Sequence, residues 1–277
     1  MIPTASAAAF DAVATRYDAI TAADANPVIA AQRVRVHAAF ARHFAPGSRL
    51  LEIGCGTGED TLALTARGHD IVACDPAPAM LTEAARKLAA AGRAHMARFV
   101  RGGASDLAAA WPSLAAAVDG VSAAIDGVFS NFAPLNCELS LAPLRALLDQ
   151  ALAPGGRFVA VVLPRWSPLE IAFFLAARQP RVALRRFGRA PVADVEGLTF
   201  PIRYYGPADF DRALGPGYRR IETRSLGLLL PPPRFAAAAM RVPGLWPLLL
   251  SLEDRVSALP GLRNVGDHVL VAYERAR

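Results

Sequence analysis

Residues 50–60, Leu-Leu-Glu-Ile-Gly-Cys-Gly-Thr-Gly-Glu-Asp, constrain this chain more than any other stretch. The run from Arg49 to Ile53 reads as a short buried strand of a parallel sheet, since such strands are apolar nearly throughout. Three glycines follow at alternate positions, Gly54, Gly56 and Gly58. A helical pattern comes next, with Leu62, Leu64 and Ala66 ahead of Arg67-Gly68. Glycine lets the backbone turn tightly and approach a ligand where a Cβ would collide. The free N–H groups at the helix start face the same crevice. Strand, glycine turn and helix together predict a nucleotide-binding element of an α/β sheet.

The spacing narrows the ligand. The dinucleotide fingerprint is G-x-G-x-x-G. Here the third glycine comes one residue early, Glu59 takes its place, and Asp60 follows. Two carboxylates at a helix N-terminus suit the helix dipole but repel a pyrophosphate. A ligand with no phosphate and a positive centre fits better, and Glu52 adds acid on the same side. This E-x-G-x-G-x-G pattern resembles motif I of class I S-adenosylmethionine-dependent methyltransferases of the small-molecule type. The next expected strand, Asp70 to Asp75, runs apolar into one acid about twenty residues past the glycines, where an acid can bind both ribose hydroxyls. The plainer role for Asp75 is a helix N-cap. Pro76-Ala77-Pro78-Ala79-Met80-Leu81 resembles the family's D-x-S-x-x-M-L, with Ala77 where the serine stands.

The resemblance implies a doubly wound, Rossmann-like α/β fold with a mostly parallel sheet, an antiparallel last strand and a helical cap insertion. It divides the chain into an N-terminal helical lid (1–46), an S-adenosylmethionine-binding core (47–163), and cap insertions with C-terminal strands completing the same sheet (164–277). Glu52 and the backbone of Gly54, Cys55 and Gly56 would place the methionine end, and Asp75 the ribose. Pro76 and Met80 would flank the adenine, and Asn131 and Tyr17 would line the sulfonium side. Phe10-Asp11-x-x-Ala14-x-x-Tyr17-Asp18 resembles the lead-in of many such enzymes, in which this segment folds over the cofactor. The bland alternative is an amphipathic helix with Phe10, Val13 and Tyr17 on one face. Where relatives show G-D-A-x-D-L after the third strand, this chain has Gly102-Gly103-Ala104-Ser105-Asp106-Leu107. That departure shifts adenine recognition to the Ala104 backbone and to Ser105 or Asp106, unless Asp106 only caps the next helix.

The fourth strand is expected over Ala124 to Phe129, ending in Ser130-Asn131-Phe132-Ala133-Pro134-Leu135-Asn136. Amides there can hydrogen-bond cofactor or substrate without adding charge, although Asn131 is equally a common turn residue. The segment differs from the N-P-P-Y type motif of enzymes that methylate bases or glutamine. "L-x-P-G-G-R" precedes a fifth strand, Arg157 to Leu163. Candidate substrate contacts are Asn136, Trp166, Tyr204 and Tyr205. A strand pair at a sheet edge is the alternative for the two tyrosines. Strands are expected at Tyr218 to Leu226 and Val269 to Tyr273, the last antiparallel by resemblance. His37 and His43 read as exposed helix residues. Arg178, Arg181, Arg185, Arg186 and Arg189 read first as a solvated helix face, or as a contact for an anionic substrate, a carrier protein or lipid headgroups.

Composition bounds the rest. The chain has 277 residues, 53% of them hydrophobic, and one lysine, Lys87. Its net charge of +6 rests on arginine and says little about nucleic acid; a nucleic-acid reader would carry its basic residues in one stripe with exposed aromatics. Cys55, Cys74 and Cys137 have neither metal-ligand nor disulfide spacing, and Met1 to Phe10 lacks a signal-peptide pattern, so a cytoplasmic protein without metal is expected. Phe235 to Leu252, broken by Arg241, Pro243 and Pro247, is a poor transmembrane helix. The two apolar insertions suggest a greasy pocket, a membrane-surface contact or a dimer seam. The reading is methyl transfer from S-adenosylmethionine, leaving S-adenosylhomocysteine, to a small, fairly apolar metabolite, aromatic, polyketide-like or quinone-like, by O-, C-, S- or N-methylation. No residue stands out as a base. An NAD(P)-dependent oxidoreductase is disfavoured by Glu59 and by the lack of a Tyr-x-x-x-Lys. A catalytically silent binding protein of the same fold is disfavoured by the intact glycines and Asp75.

Overall fold

The strand of residues 49–53 is buried along nearly its whole length because it has a parallel neighbour on each edge and helices on each face. The computed structural model describes residues 4–117 and 125–277, so the expected strand start at Ala124 lies outside the described residues. The strands are β1 (Arg49–Ile53), β2 (Asp70–Asp75), β3 (Ala97–Arg101), β4 (Ile125–Ser130), β5 (Leu152–Val162), β6 (Val192–Val195), β7 (Leu198–Pro201), β8 (Tyr218–Leu226) and β9 (His268–Arg275). Seven of them form one sheet in the order β3-β2-β1-β4-β5-β9-β8. β9 runs antiparallel to both neighbours, as expected, and the other six are parallel. Its first residue, His268, therefore lies level with the C-terminal ends of the parallel strands, the edge where open α/β sheets bind ligands. β6 and β7 form a separate hairpin that the sequence reading did not place.

The helices are α1 (Ala5–Thr21), α2 (Pro27–His43), α3 (Glu59–Thr65), α4 (Pro78–Ala90), α5 (Ala104–Ala117), α6 (Ala142–Ala151), α7 (Pro168–Ala176), α8 (Pro180–Ala183), α9 (Pro207–Leu214), α10 (Pro233–Met240) and α11 (Leu245–Val256). Side chains alternate across the sheet, so each strand feeds two cores. Leu51, Phe158, Ala160 and Val271 meet α5, α6 and α9 on one face. Leu50, Val159, Val161 and Leu270 meet α2 and α3 on the other. The expected lid of residues 1–46 thus divides. α2 is a layer of the fold, with Val36, Ala39 and Phe40 packed on the sheet. Only α1 lies over α4, through Val13 and Ala14 against Ala77 and Met80.

β5 begins five residues earlier than expected. Ile125 pairs with Leu152 and Gly127 with Arg157 across a register shift, so Pro154-Gly155-Gly156 is a bulge within the strand rather than a turn ahead of it.

Arg186 overturns the solvated-face reading at its position. It is only 3% exposed. Its Nη1 donates to the carbonyls of Pro164 at 2.9 Å and Asp267 at 3.0 Å. Its Nη2 pairs with Glu170 of α7 and with Asp267 Oδ1 at 3.1 Å. Gln32 Nε2 of α2 donates to Asp267 Oδ2 at 3.0 Å. One guanidinium thus bolts the cap to the end of β5, the start of β9 and α2. A second bolt is Glu253 of α11, fully buried, which accepts the N–H groups of Leu228 at 3.0 Å and Leu229 at 2.7 Å. Among the described residues no helix is long and apolar enough to cross a membrane.

Candidate active site

The glycine turn builds the site by clasping the end of β2. The N–H groups of Gly54 and Cys55 both donate to the carbonyl of Cys74, at 2.8 and 2.9 Å. This aims Gly56 N–H at Asp75 Oδ2, 2.9 Å away, while Ala77 N–H donates to Oδ1 at 2.9 Å. Gly54 adopts φ +77°, and a Cβ there would lie 2.2 Å from Pro134 Cβ, so the turn closes against the loop after β4 only without a side chain. Gly56 has φ +52° and nothing within 4 Å of a Cβ position, which leaves backbone open for close approach of a ligand. Burial pushes the Asp75 carboxyl up to about 6, against the pull of the Ala77 and Gly56 amides.

The cavity above this clasp has a volume of about 370 Å³. One end is lined by Arg33, Asp60, Asn131 and Phe132, the other by Pro76, Met80, Ser105 and Glu138. At the first end Asp60 is ringed by partners. His37 Nε2 lies 2.7 Å from Oδ1, Asn131 Nδ2 donates to Oδ2 at 2.7 Å, and Arg33 Nη1 stands 3.6 Å from Oδ1. Burial alone would raise Asp60; His37, Arg33 and Asn131 reverse that and hold it below the usual range. The Arg33 guanidinium lies 5.1 Å over the Phe132 ring. Arg33 Nη1 and Asn131 Oδ1 are buried and make no hydrogen bond, which is costly unless a ligand supplies one. α1 is latched over the cavity by Asp11, which accepts Ala79 N–H at 2.7 Å, and by Asp18, which meets Thr57 Oγ1 at 2.5 Å and Lys87 at 2.7 Å. Lys87 also pairs with Glu59.

Residues 50–156 match the family model of a methyltransferase domain. This stretch, which holds β1 to β4 and the glycine turn, is similar to a methyltransferase domain. Over 90 residues it is 41% identical to a demethylmenaquinone methyltransferase of Parafrankia sp. (strain EAN1pec), covering 31% of this chain and 34% of that one. Over 172 residues it is 32% identical to a demethylmenaquinone methyltransferase of Beutenbergia cavernae, covering 59% and 61%. The matches therefore span less than two thirds of either relative. The solved structure of the CcbJ methyltransferase from Streptomyces caelestis superposes with a TM-score of 0.60 at 16% identity, covering all of both chains, a likeness of fold.

Around this cavity the structure brings together Tyr17, Gly54, Cys55, Gly56, Asp75, Pro76, Met80, Ser105 and Asn131. Glu52 does not reach it. The side chain is 2% exposed and accepts from Thr61 Oγ1 at 2.5 Å, beneath the turn. Burial, and next Asp60, push its carboxyl up to about 8. Ala104 is buried behind the wall, and its N–H donates to Glu138 Oε1 at 3.1 Å. Asp106 caps its own helix, with Oδ2 accepting Gly103 N–H at 3.0 Å.

The four substrate candidates lie off this cavity. Asn136 is a clamp: its Nδ2 donates to the carbonyls of Leu163 at 3.0 Å and Arg203 at 2.6 Å, and its Oδ1 accepts Leu163 N–H at 2.9 Å. Trp166 is 57% exposed and packs edge-on against Phe187. Tyr204 lies under Arg186, whose guanidinium carbon is 5.5 Å from the ring centre. Tyr205 spends its hydroxyl on the carbonyl of Glu138 at 2.8 Å.

The sequence reading missed Arg33, Asp60 and Glu138 as wall residues. It also took both helix histidines as exposed, whereas His37 pairs with Asp60 and His43 with Glu222, each at 2.7 Å. Arg33 and His37 carried one usable signal, a stripe one turn apart on α2 opposite its apolar face.

Proposed function

We propose that this protein transfers the methyl group of S-adenosylmethionine to a small, fairly apolar metabolite. The observation that carries the reading is the pair of orphaned polar atoms at one end of the cavity, Arg33 Nη1 and Asn131 Oδ1, with the Asp75 carboxylate between them and the far end. Their chemistry fits the cofactor along its length. Arg33 would receive the amino-acid carboxylate, and Asn131 Oδ1 with Asp60 the ammonium. The Asp75 oxygens each keep acceptor capacity for ribose hydroxyls. Pro76 and Met80 offer an apolar slot for a base. A dinucleotide suits the site less, because Glu59 and Asp60 occupy the helix start where a pyrophosphate would bind.

The cofactor supplies a methyl group on a sulfonium centre, which departs as a neutral thioether. The protein's part is alignment, which can lower a barrier by several kcal/mol, roughly 7–11 in the best oriented systems. Asn131 and Phe132 face the reacting end, and Tyr17 on α1 closes it from above. α1 acts as the lid, and residues 164–217 and 227–267 act as the cap on the acceptor side. A base is required only for an acceptor that starts protonated with a high pKa. The two demethylmenaquinone methyltransferase relatives support a quinone-like acceptor, and the apolar cap supports a greasy one.

Isothermal titration with S-adenosylmethionine, S-adenosylhomocysteine and NADH tests the reading. Micromolar binding of the first two, weakened in Asp75→Ala, is the expected result. Binding of NADH in their place overturns it.

A further inference from the structure

The end of the cavity beyond Asp75 contains one carboxylate that no local motif announces. Glu138 comes from the loop after β4, far in sequence from the other groups there. Three contacts hold it. Its Oε1 accepts Ala104 N–H at 3.1 Å, and its Oε2 lies 3.5 Å from Ser105 Oγ. Its own carbonyl is pinned by the Tyr205 hydroxyl at 2.8 Å. Gly103 leaves it room: a Cβ on residue 103 would lie 2.8 Å from Glu138 Oε1 and would push the end of that side chain aside. Two nearby polar groups are engaged, with Asp106 Oδ2 accepting Gly103 N–H and the Ala104 N–H serving Glu138, while Arg101, which also lines the cavity, can only donate. The Glu138 carboxylate keeps acceptor capacity beyond its two contacts, on a cavity lining that also holds Pro76, Met80, Ser105 and Asp106.

We infer that Glu138 is the base-selecting residue of the cofactor site, accepting a hydrogen bond from the exocyclic amino group of adenine; this rests on the cofactor reading above. A carboxylate only accepts. It therefore favours a purine edge carrying an amino group and opposes one carrying a carbonyl oxygen at the same place. Tyr205 becomes a positioning residue for this contact, which explains why a tyrosine lying off the cavity is buried against its rim.

The test compares two ligands that differ on that purine edge, S-adenosylhomocysteine with a 6-amino group and a bare N1 and S-inosylhomocysteine with a 6-oxo group and a proton on N1, by isothermal titration on the full chain. Wild type is expected to favour the adenosyl ligand by about 10- to 150-fold, the span of one hydrogen bond to a charged group. Glu138→Ala should bring the ratio within about 3-fold. Glu138→Gln keeps shape and hydrogen bonding and adds a donor, so it should bind the inosyl ligand more tightly than wild type does. Thermal unfolding identifies any variant that has lost its fold, and the glutamine variant then carries the test alone. A discrimination ratio unchanged in Glu138→Gln, with S-adenosylhomocysteine still bound, overturns the Glu138 assignment and leaves the cofactor reading standing. Failure of wild type to bind either ligand overturns both.

Discussion

Two clusters of buried carboxylates in this molecule are handled in opposite ways. Under the glycine turn, Glu52 has a hydroxyl for a partner and Asp60 for a neighbour, and it is driven up to about 8. At the cap, Asp267 is only partly enclosed, its side chain 26% exposed, and His268, Arg186 and Gln32 outweigh burial and hold it well below the usual carboxylate range. The cap cluster balances its charge internally, so it serves as a fastener. Both clusters leave buried polar atoms without hydrogen bonds, Gln32 Oε1, Glu170 Oε1 and Arg186 Nε at the cap and Arg33 Nη1 and Asn131 Oδ1 at the turn, but of these residues Arg33 and Asn131 line the cavity. Burial of charge alone therefore does not mark a site; incomplete satisfaction beside a cavity does.

The largest effect expected from breaking this contrast is at the fastener. Arg186→Met removes the cation shared by the buried Glu170 and the partly exposed Asp267, a loss of about 3–5 kcal/mol by urea unfolding at neutral pH. A loss under about 1 kcal/mol would mean that the cap does not depend on its charge balance. At the turn, Asp75→Ala should weaken S-adenosylhomocysteine binding about 100-fold through two or more lost charge-assisted hydrogen bonds while costing less stability than Arg186→Met, since within the fold it leaves the Gly56 and Ala77 N–H groups without their acceptor and strands no charge. Equal damage to binding and stability would erase the distinction between the two clusters.

Glu52 sharpens the contrast through pH. Its folded-state value of about 8 lies above its ordinary 4.5, so the native state holds the proton more tightly than the unfolded chain. Its contribution to stability is complete below about 4.5 and is lost as pH rises toward 8. Stability measured across that window should fall more steeply in wild type than in Glu52→Gln, and parallel curves would show that Glu52 titrates normally. The smallest effect belongs to Tyr205→Phe, which deletes one hydrogen bond to the Glu138 carbonyl and should cost about 1 kcal/mol. Chemical denaturation is sensitive enough to read it.

Much of the frame was legible because its signals are local. The glycine turn, the acid closing β2 and the apolar run of β1 each declare themselves within ten residues, and the strand bounds follow. β6 and β7 escaped notice because Val192–Val195 and Leu198–Pro201 are four residues each and Phe200 is the one fully buried residue between them, too short a run for the alternation of a half-buried strand to stand out. The bulge in β5 was hidden for a related reason, since Pro154-Gly155-Gly156 reads as a turn until the partner strand shows pairing on both sides of it.

Site residues divide along the same line. Gly54, Gly56, Asp75, Pro76 and Met80 belong to two adjacent loops whose spacing sets their relative positions, so the chain alone placed them on one wall. Glu52 shows the limit of that logic: its place in the motif is correct, yet strand pleat turns it under the turn, away from the cavity. Arg33, Asn131 and Glu138 come from three separate segments, and only the packing of α2, the end of β4 and the following loop around one crevice decides that they meet. Asn136, Tyr205 and Arg186 looked equally available for chemistry as residue types. The folded chain commits each to a carbonyl or a carboxylate, because a buried donor must find a partner, and that choice depends on neighbours from 16 to 81 positions away.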